Sequence, residues 1–114
     1  MKNDNDSNKR KHNRFVITLN AKVIMGGKTY QGVIGNVSEE GISSTITTYI
    51  KTDEQFAPHK TIQLIFELPT GDDIRLDCEI RWYVRPRDHG PNMILGLYIV
   101  DPPSKYTEWI NRFR

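Results

Sequence analysis

Residues 15–25 read Phe15-Val16-Ile17-Thr18-Leu19-Asn20-Ala21-Lys22-Val23-Ile24-Met25. The odd positions, from Phe15 through Ile17, Leu19, Ala21 and Val23 to Met25, are all apolar, and Thr18, Asn20 and Lys22 stand between them. A period of two puts successive side chains on opposite faces of an extended chain, so the stretch is a half-buried strand. Gly26-Gly27 follows and can adopt the positive φ angles of a tight hairpin turn. The chain is therefore expected to return at once as a second strand, over about Lys28–Asn36.

The same period recurs downstream. Glu39-Glu40-Gly41 interrupts the second strand, and Ile42, Ser44, Ile46, Thr48 and Ile50 alternate along a third. Residues 51–60 have no period and contain Pro58, which predicts the longest loop. Ile62, Leu64, Phe66 and Leu68 then mark a fourth strand that Pro69 ends, and Thr70-Gly71-Asp72-Asp73 is turn chemistry. In the fifth, Ile74, Leu76, Cys78, Ile80, Trp82 and Val84 are expected on the inner face, with Arg75, Asp77, Glu79 and Arg81 outside. A Pro- and Gly-containing loop over about 85–92 leads to a sixth strand, Met93–Val100.

After Asp101-Pro102-Pro103 the period changes. Tyr106, Trp109, Ile110 and Phe113 follow i, i+3, i+4, i+7 spacing, one face of a helix predicted over about 104–113, with Ser104 as its N-cap. Six short antiparallel strands with no edge to spare predict a mainly β fold, a closed or nearly closed antiparallel β-barrel carrying a C-terminal α-helix. The expected organisation is a basic arm over residues 1–14 followed by one domain over 15–114.

Composition bounds the function. The chain has 114 residues, 37% hydrophobic and 26% charged, enough for one domain with a single core. No apolar run reaches the roughly 18 residues of a membrane span, and the N-terminus has no apolar segment of the secretory kind. With one cysteine there is no internal disulfide, so a cytoplasmic chain is expected. Cys78 alternates in phase with Leu76 and Ile80, as a small buried hydrophobe would. His12, His59 and His89 lie in polar contexts without a recognisable partner, and Glu39-Glu40 and Asp72-Asp73 sit in turns. Neither a catalytic constellation nor a metal site is visible, so a non-enzymatic protein is expected, with no metal and no cofactor.

Binding signals are clearer. The formal charge of +2 is unevenly spread. Residues 1–14 hold Lys2, Lys9, Arg10, Lys11 and Arg14 against Asp4 and Asp6, a net +3, while the other hundred residues carry −1. Such an arm serves as a hook for an anion or as a solubilising tail. It contains Arg10-Lys11-His12-Asn13-Arg14, an R-x-x-x-R directly before the first strand. By itself this is weak, since Arg81 to Arg85 fits the same pattern. Asn36-Val37-Ser38-Glu39-Glu40-Gly41, an N-x-S-x-x-G, stands at the exit of the second strand. Alone it reads as a turn, because Asn, Ser and Gly favour turns for local reasons.

Taken together, in this order and with 21 residues between them, the two motifs resemble the ligand signature of the PilZ domain family, bacterial receptors for cyclic di-GMP. The resemblance runs from about Lys9 to Arg114 and includes Arg81-Trp82 on a late strand and Gly96-Leu97-Tyr98-Ile99 on the last. It implies a six-stranded barrel with a C-terminal helix, in agreement with the periodicity. It also implies that Arg10 and Arg14 bind the phosphates and guanine edges, that Asn36 and Ser38 hydrogen-bond a guanine, and that Gly41 lets the backbone approach the ligand. Lys9, Lys11 and Gly96 are accessory positions. Asn36 stands where many relatives have Asp. Lys9 precedes Arg10 at a position linked to whether one or two ligand molecules bind, with a pair favoured here.

The function so implied is a second-messenger receptor that signals to a downstream protein as its arm closes over cyclic di-GMP, in motility or biofilm control. Two other readings stand beside it. One is a ligand-independent interaction module with the same fold. The other is a small barrel for single-stranded nucleic acid, which the near-neutral body disfavours, so no polymeric nucleic acid is expected as a partner.

Overall fold

The computed structural model describes residues 14–47, 57–85 and 92–113. Among these residues six strands form in chain order: β1 (Phe15–Met25), β2 (Lys28–Val37), β3 (Gly41–Ile46), β4 (Thr61–Glu67), β5 (Asp73–Val84) and β6 (Met93–Val100). Among the described residues one helix, α1 (Ser104–Asn111), follows them. All six neighbouring pairs are antiparallel, and the order β1-β2-β3-β6-β5-β4 closes on itself through pairing of β1 with β4. Closure removes the free strand edges that a six-stranded open sheet would leave to solvent. No described helix is long and apolar enough to cross a membrane.

Alternation along the strands builds the core. Ala21, Val23 and Met25 of β1, Ile62, Leu64 and Phe66 of β4, and Ile74, Leu76, Cys78 and Ile80 of β5 all point inward and are buried. Leu95, Leu97 and Ile99 of β6 and Ile42 and Ile46 of β3 complete the lining. Gly26 and Gly27, at φ 60° and 80°, form the β1–β2 turn that only glycine adopts without steric cost. The β3 strand ends at Ile46, and the expected continuation through Thr48 and Ile50 lies outside the described residues.

In two places the strand reading needs correction. Between Ile80 and Trp82 the β5–β6 register shifts by one, so Ile80 pairs with Leu97 and Trp82 with Gly96. A slip of one residue reverses the facing of everything beyond it. Trp82 and Val84, expected inside, are accordingly 47% and 50% exposed, and Tyr83 packs against the core in their place. The second correction concerns the helix. Its N-cap is Pro103, in extended geometry, and no side chain caps it. The Pro103 carbonyl accepts the first helical bonds, from the N–H groups of Tyr106 and Thr107, so Ser104 is the first helical residue and not the cap.

The helix is seated on the barrel through its aromatic face. Tyr106, Trp109 and Ile110 are buried. Trp109 meets Phe66 at 5.9 Å between ring centroids, and Phe113, just beyond the helix, stacks on Phe15 at 4.9 Å and 22°. Offset and edge-on ring contacts of this kind add about 0.5–1.5 kcal/mol beyond the area they bury.

Candidate functional site

The site begins where β1 begins. Arg14 is the residue before Phe15, and its Nη1 donates a 2.5 Å hydrogen bond to the Asn36 side-chain carbonyl, 22 positions away. Two local features make this possible. Phe15 pairs with Val37 and Val16 with Asn36, which sets the start of β1 beside the end of β2. The β2–β3 register also shifts between Ile34 and Asn36. Ile34 and Val37 can then both be buried while Asn36, between them, turns outward.

The chain leaves β2 through a turn closed on itself. The Ser38 N–H donates to the Gly41 carbonyl at 2.8 Å. The Ser38 hydroxyl donates to the same carbonyl at 3.2 Å and accepts from the Gly41 N–H at 3.1 Å. Ser38 is only 4% exposed, and its hydroxyl is held in the turn with one lone pair to spare. Two further bonds pin the turn to its surroundings. The Ile99 N–H donates to the Glu40 carbonyl at 2.8 Å, and the Tyr106 hydroxyl donates to the Ser38 carbonyl at 2.6 Å. Burial, followed by the nearby Cys78, pushes the Tyr106 phenol above its ordinary range, so it keeps the proton this bond requires.

Gly41 is small for a steric reason. A Cβ there would lie 3.2 Å from the Leu97 carbonyl oxygen and 3.7 Å from Arg14 Nη2. The Arg14 guanidinium therefore reaches over backbone that carries no side chain. Ser38, Gly41 and Arg14 line an open groove of about 290 Å³. Its other wall comes from late strands, with Arg81 and Trp82 of β5 and Leu97 and Tyr98 of β6.

That wall contains the contribution that alternation concealed. The β5–β6 register shift turns Arg81 and Trp82 outward side by side. The Trp82 indole lies directly over Gly96, where a Cβ would come within 2.1 Å of Cε2. Gly96, an accessory site position by resemblance, is thus the seat of the ring. The Arg81 guanidinium sits 4.7 Å from the centre of the Tyr98 ring, a cation–π contact that keeps it on the groove wall. The Arg81-Trp82 pair was visible in the sequence, but a strict period of two had assigned its halves to opposite faces.

Of the residues expected in the site, Arg14, Asn36, Ser38 and Gly41 are brought together; Arg10, Lys9 and Lys11 lie outside the described residues. Cys78 is fully buried on the inner face of β5, its thiol pushed up to about 12 by burial and then by Asp77, which makes it a poor nucleophile. Among the described residues no group of His, Cys, Asp and Glu could hold a metal ion.

Comparison with known proteins agrees with this architecture. The model of the PilZ domain family matches residues 8–113. The structure of the Bacillus subtilis inhibitor of motility (MotI/DgrA) superposes with a TM-score of 0.72 at 14% identity, over 92% of this chain and 48% of that one. This chain thus spans about half the length of that protein. The PilZ domain of YcgR from Escherichia coli, in a structure with c-di-GMP, superposes with a TM-score of 0.68 at 9% identity, over 92% of this chain and 88% of that one. At such identities the likeness is one of fold. No curated protein matches the sequence.

Proposed function

The chain belongs to the PilZ domain family, and from that premise we propose that it is a non-enzymatic cytoplasmic receptor for cyclic di-GMP. The observation that carries the reading is the bond between Arg14 and Asn36, which joins the end of the R-x-x-x-R to the start of the N-x-S-x-x-G. A groove holding two guanidinium groups and an exposed indole suits a ligand made of two phosphates and two purines. Guanidinium forks form paired, charge-assisted bonds to phosphate oxygens and to the O6/N7 edge of guanine. An indole offers a flat apolar face on which a purine stacks. The YcgR domain, of the same fold, carries this nucleotide.

In this reading Arg14 and Arg10 bind the phosphates and guanine edges. Asn36 meets a guanine and orients Arg14, while Ser38 and Gly41 shape the turn. Lys9 and Lys11 add positive charge nearby. The arm folds over the nucleotide and contributes ordering entropy as a cost at that step, and a downstream protein reads the closed form. Calorimetric titration of the chain with cyclic di-GMP, with cyclic di-AMP and GMP as controls, tests the proposal. Saturable binding confined to cyclic di-GMP is expected, and its stoichiometry decides between one nucleotide and a stacked pair. Absence of heat at any cyclic di-GMP concentration rejects the reading.

A further inference from the structure

Three serines lie between the exit of β2 and the middle of β3, and two of them are already engaged. The Ser38 hydroxyl donates to the Gly41 carbonyl and accepts from the Gly41 N–H, so its proton is used inside the turn. The Ser44 hydroxyl donates to the Val33 carbonyl at 3.1 Å, and that residue is buried. Ser43 differs from both. Its neighbours Ile42 and Ser44 are buried on the inner face, so alternation turns the Ser43 side chain outward, where it is half-buried. Among the described residues its hydroxyl has no hydrogen-bond partner.

Strand register places that hydroxyl. Asn36 of β2 lies opposite Ser43, Ser43 lies opposite Gly96 of β6, and Gly96 lies opposite Trp82 of β5. Residues directly opposite one another hold their Cβ atoms about 4.5–5.5 Å apart. Gly96 has no Cβ and carries the Trp82 indole in its place. Ser43 therefore has the Asn36 side chain on one flank and the seat of the exposed indole on the other. A single side-chain torsion sets its hydroxyl oxygen, so strand pairing confines that oxygen without any partner to hold it. Arg14 and Arg81 supply the positive charge that phosphates require, and the polar edge of a base is left to neutral groups. A hydroxyl both donates and accepts, and guanine presents both kinds of partner. On the reading of this groove as a cyclic di-GMP site, we propose that Ser43 is a further ligand-binding residue, whose hydroxyl hydrogen-bonds a guanine beside Asn36 and Trp82. The serine inside the motif then shapes the turn, and the serine outside it meets the nucleotide.

Two variants test this. Ser43→Ala is compared with wild type by calorimetry with cyclic di-GMP, and Ser43→Cys is alkylated with iodoacetamide with and without the nucleotide. Cys78 is fully buried and does not compete for the reagent. Thr29→Cys, exposed at the end of β2 remote from Asn36, is the control. Ser43→Ala is expected to bind about two- to tenfold more weakly, the loss of one neutral hydrogen bond, at an unchanged urea midpoint. Saturating cyclic di-GMP slows alkylation of Ser43→Cys and leaves Thr29→Cys at its own rate. Equal affinity of wild type and Ser43→Ala, a lowered urea midpoint in Ser43→Ala, or no protection of Ser43→Cys overturns the role of Ser43 and leaves the receptor reading standing. A wild-type chain that gives no heat with cyclic di-GMP overturns the receptor reading and the role of Ser43 with it.

Discussion

The Tyr106 hydroxyl donates a 2.6 Å hydrogen bond to the Ser38 carbonyl, linking the terminal helix to the motif turn across 68 positions. Both partners are buried, so the bond has no solvent to replace it. Tyr106→Phe leaves the carbonyl without its donor and is expected to lower stability by about 1–3 kcal/mol, the cost of an unmet buried acceptor. Urea unfolding followed by circular dichroism gives the value. A midpoint equal to that of wild type would show that the helix does not brace the turn.

Arg14 is exposed and makes its contact to Asn36 without supporting the core, so its replacement is expected to separate binding from folding. Arg14→Ala removes at least one charge-assisted bond to the ligand, about 1.5–3 kcal/mol, or roughly ten- to a hundredfold in cyclic di-GMP affinity. Asn36→Ala, which removes the acceptor that orients the guanidinium, weakens binding less. Calorimetry reads the affinities and thermal unfolding serves as the stability control. Equal affinity of wild type and Arg14→Ala would remove Arg14 from the site.

Gly96 admits the Trp82 indole, and Gly96→Ala sets a methyl group where Cε2 of that ring now lies. The half-exposed ring is expected to lift away from the barrel, while Trp109, buried at 5% exposure, keeps its surroundings. Tryptophan emission therefore shifts to longer wavelength with little loss of stability, because the ring moves into solvent and not into the core. On the receptor reading, the same displacement is expected to abolish quenching of this ring by added cyclic di-GMP. An unshifted emission maximum would place the ring elsewhere.

Alkaline pH is expected to destabilise the protein through two buried acids. The Cys78 thiol is raised from 9.0 to about 12, and the Tyr106 phenol is also raised above its ordinary 10.0, in both cases chiefly by burial. Well below pH 9 both groups are protonated in the folded and unfolded states alike, and neither produces any dependence. Above it the unfolded chain releases protons that the folded chain retains, so stability falls from about pH 9 toward pH 12. Urea midpoints at about pH 8 and about pH 10.5 show the decline, and Cys78→Ala, though less stable throughout, flattens part of it. A thiol reagent at about pH 8 should label Cys78 only as fast as the chain opens.

The strands, their order along the chain and the helix were legible in the sequence because each depends on local periodicity. Phe15 to Met25 alternates as a one-sided strand must, Gly26-Gly27 turns it back, and Tyr106, Trp109 and Ile110 repeat with the pitch of a helix. The two sequence motifs were legible as well, because residue type and spacing were enough for the resemblance. Periodicity has no access to register. The shift at Asn36 aims that side chain at Arg14, and the shift before Trp82 turns an apparent core residue onto the groove wall. Each depends on which residue of a neighbouring strand lies opposite, and a difference of one residue reverses the face. The sequence by itself determined a barrel of alternating strands and the residue types available for binding; only closure of the barrel, with its register shifts and the Tyr106 brace, decided which of them share one groove.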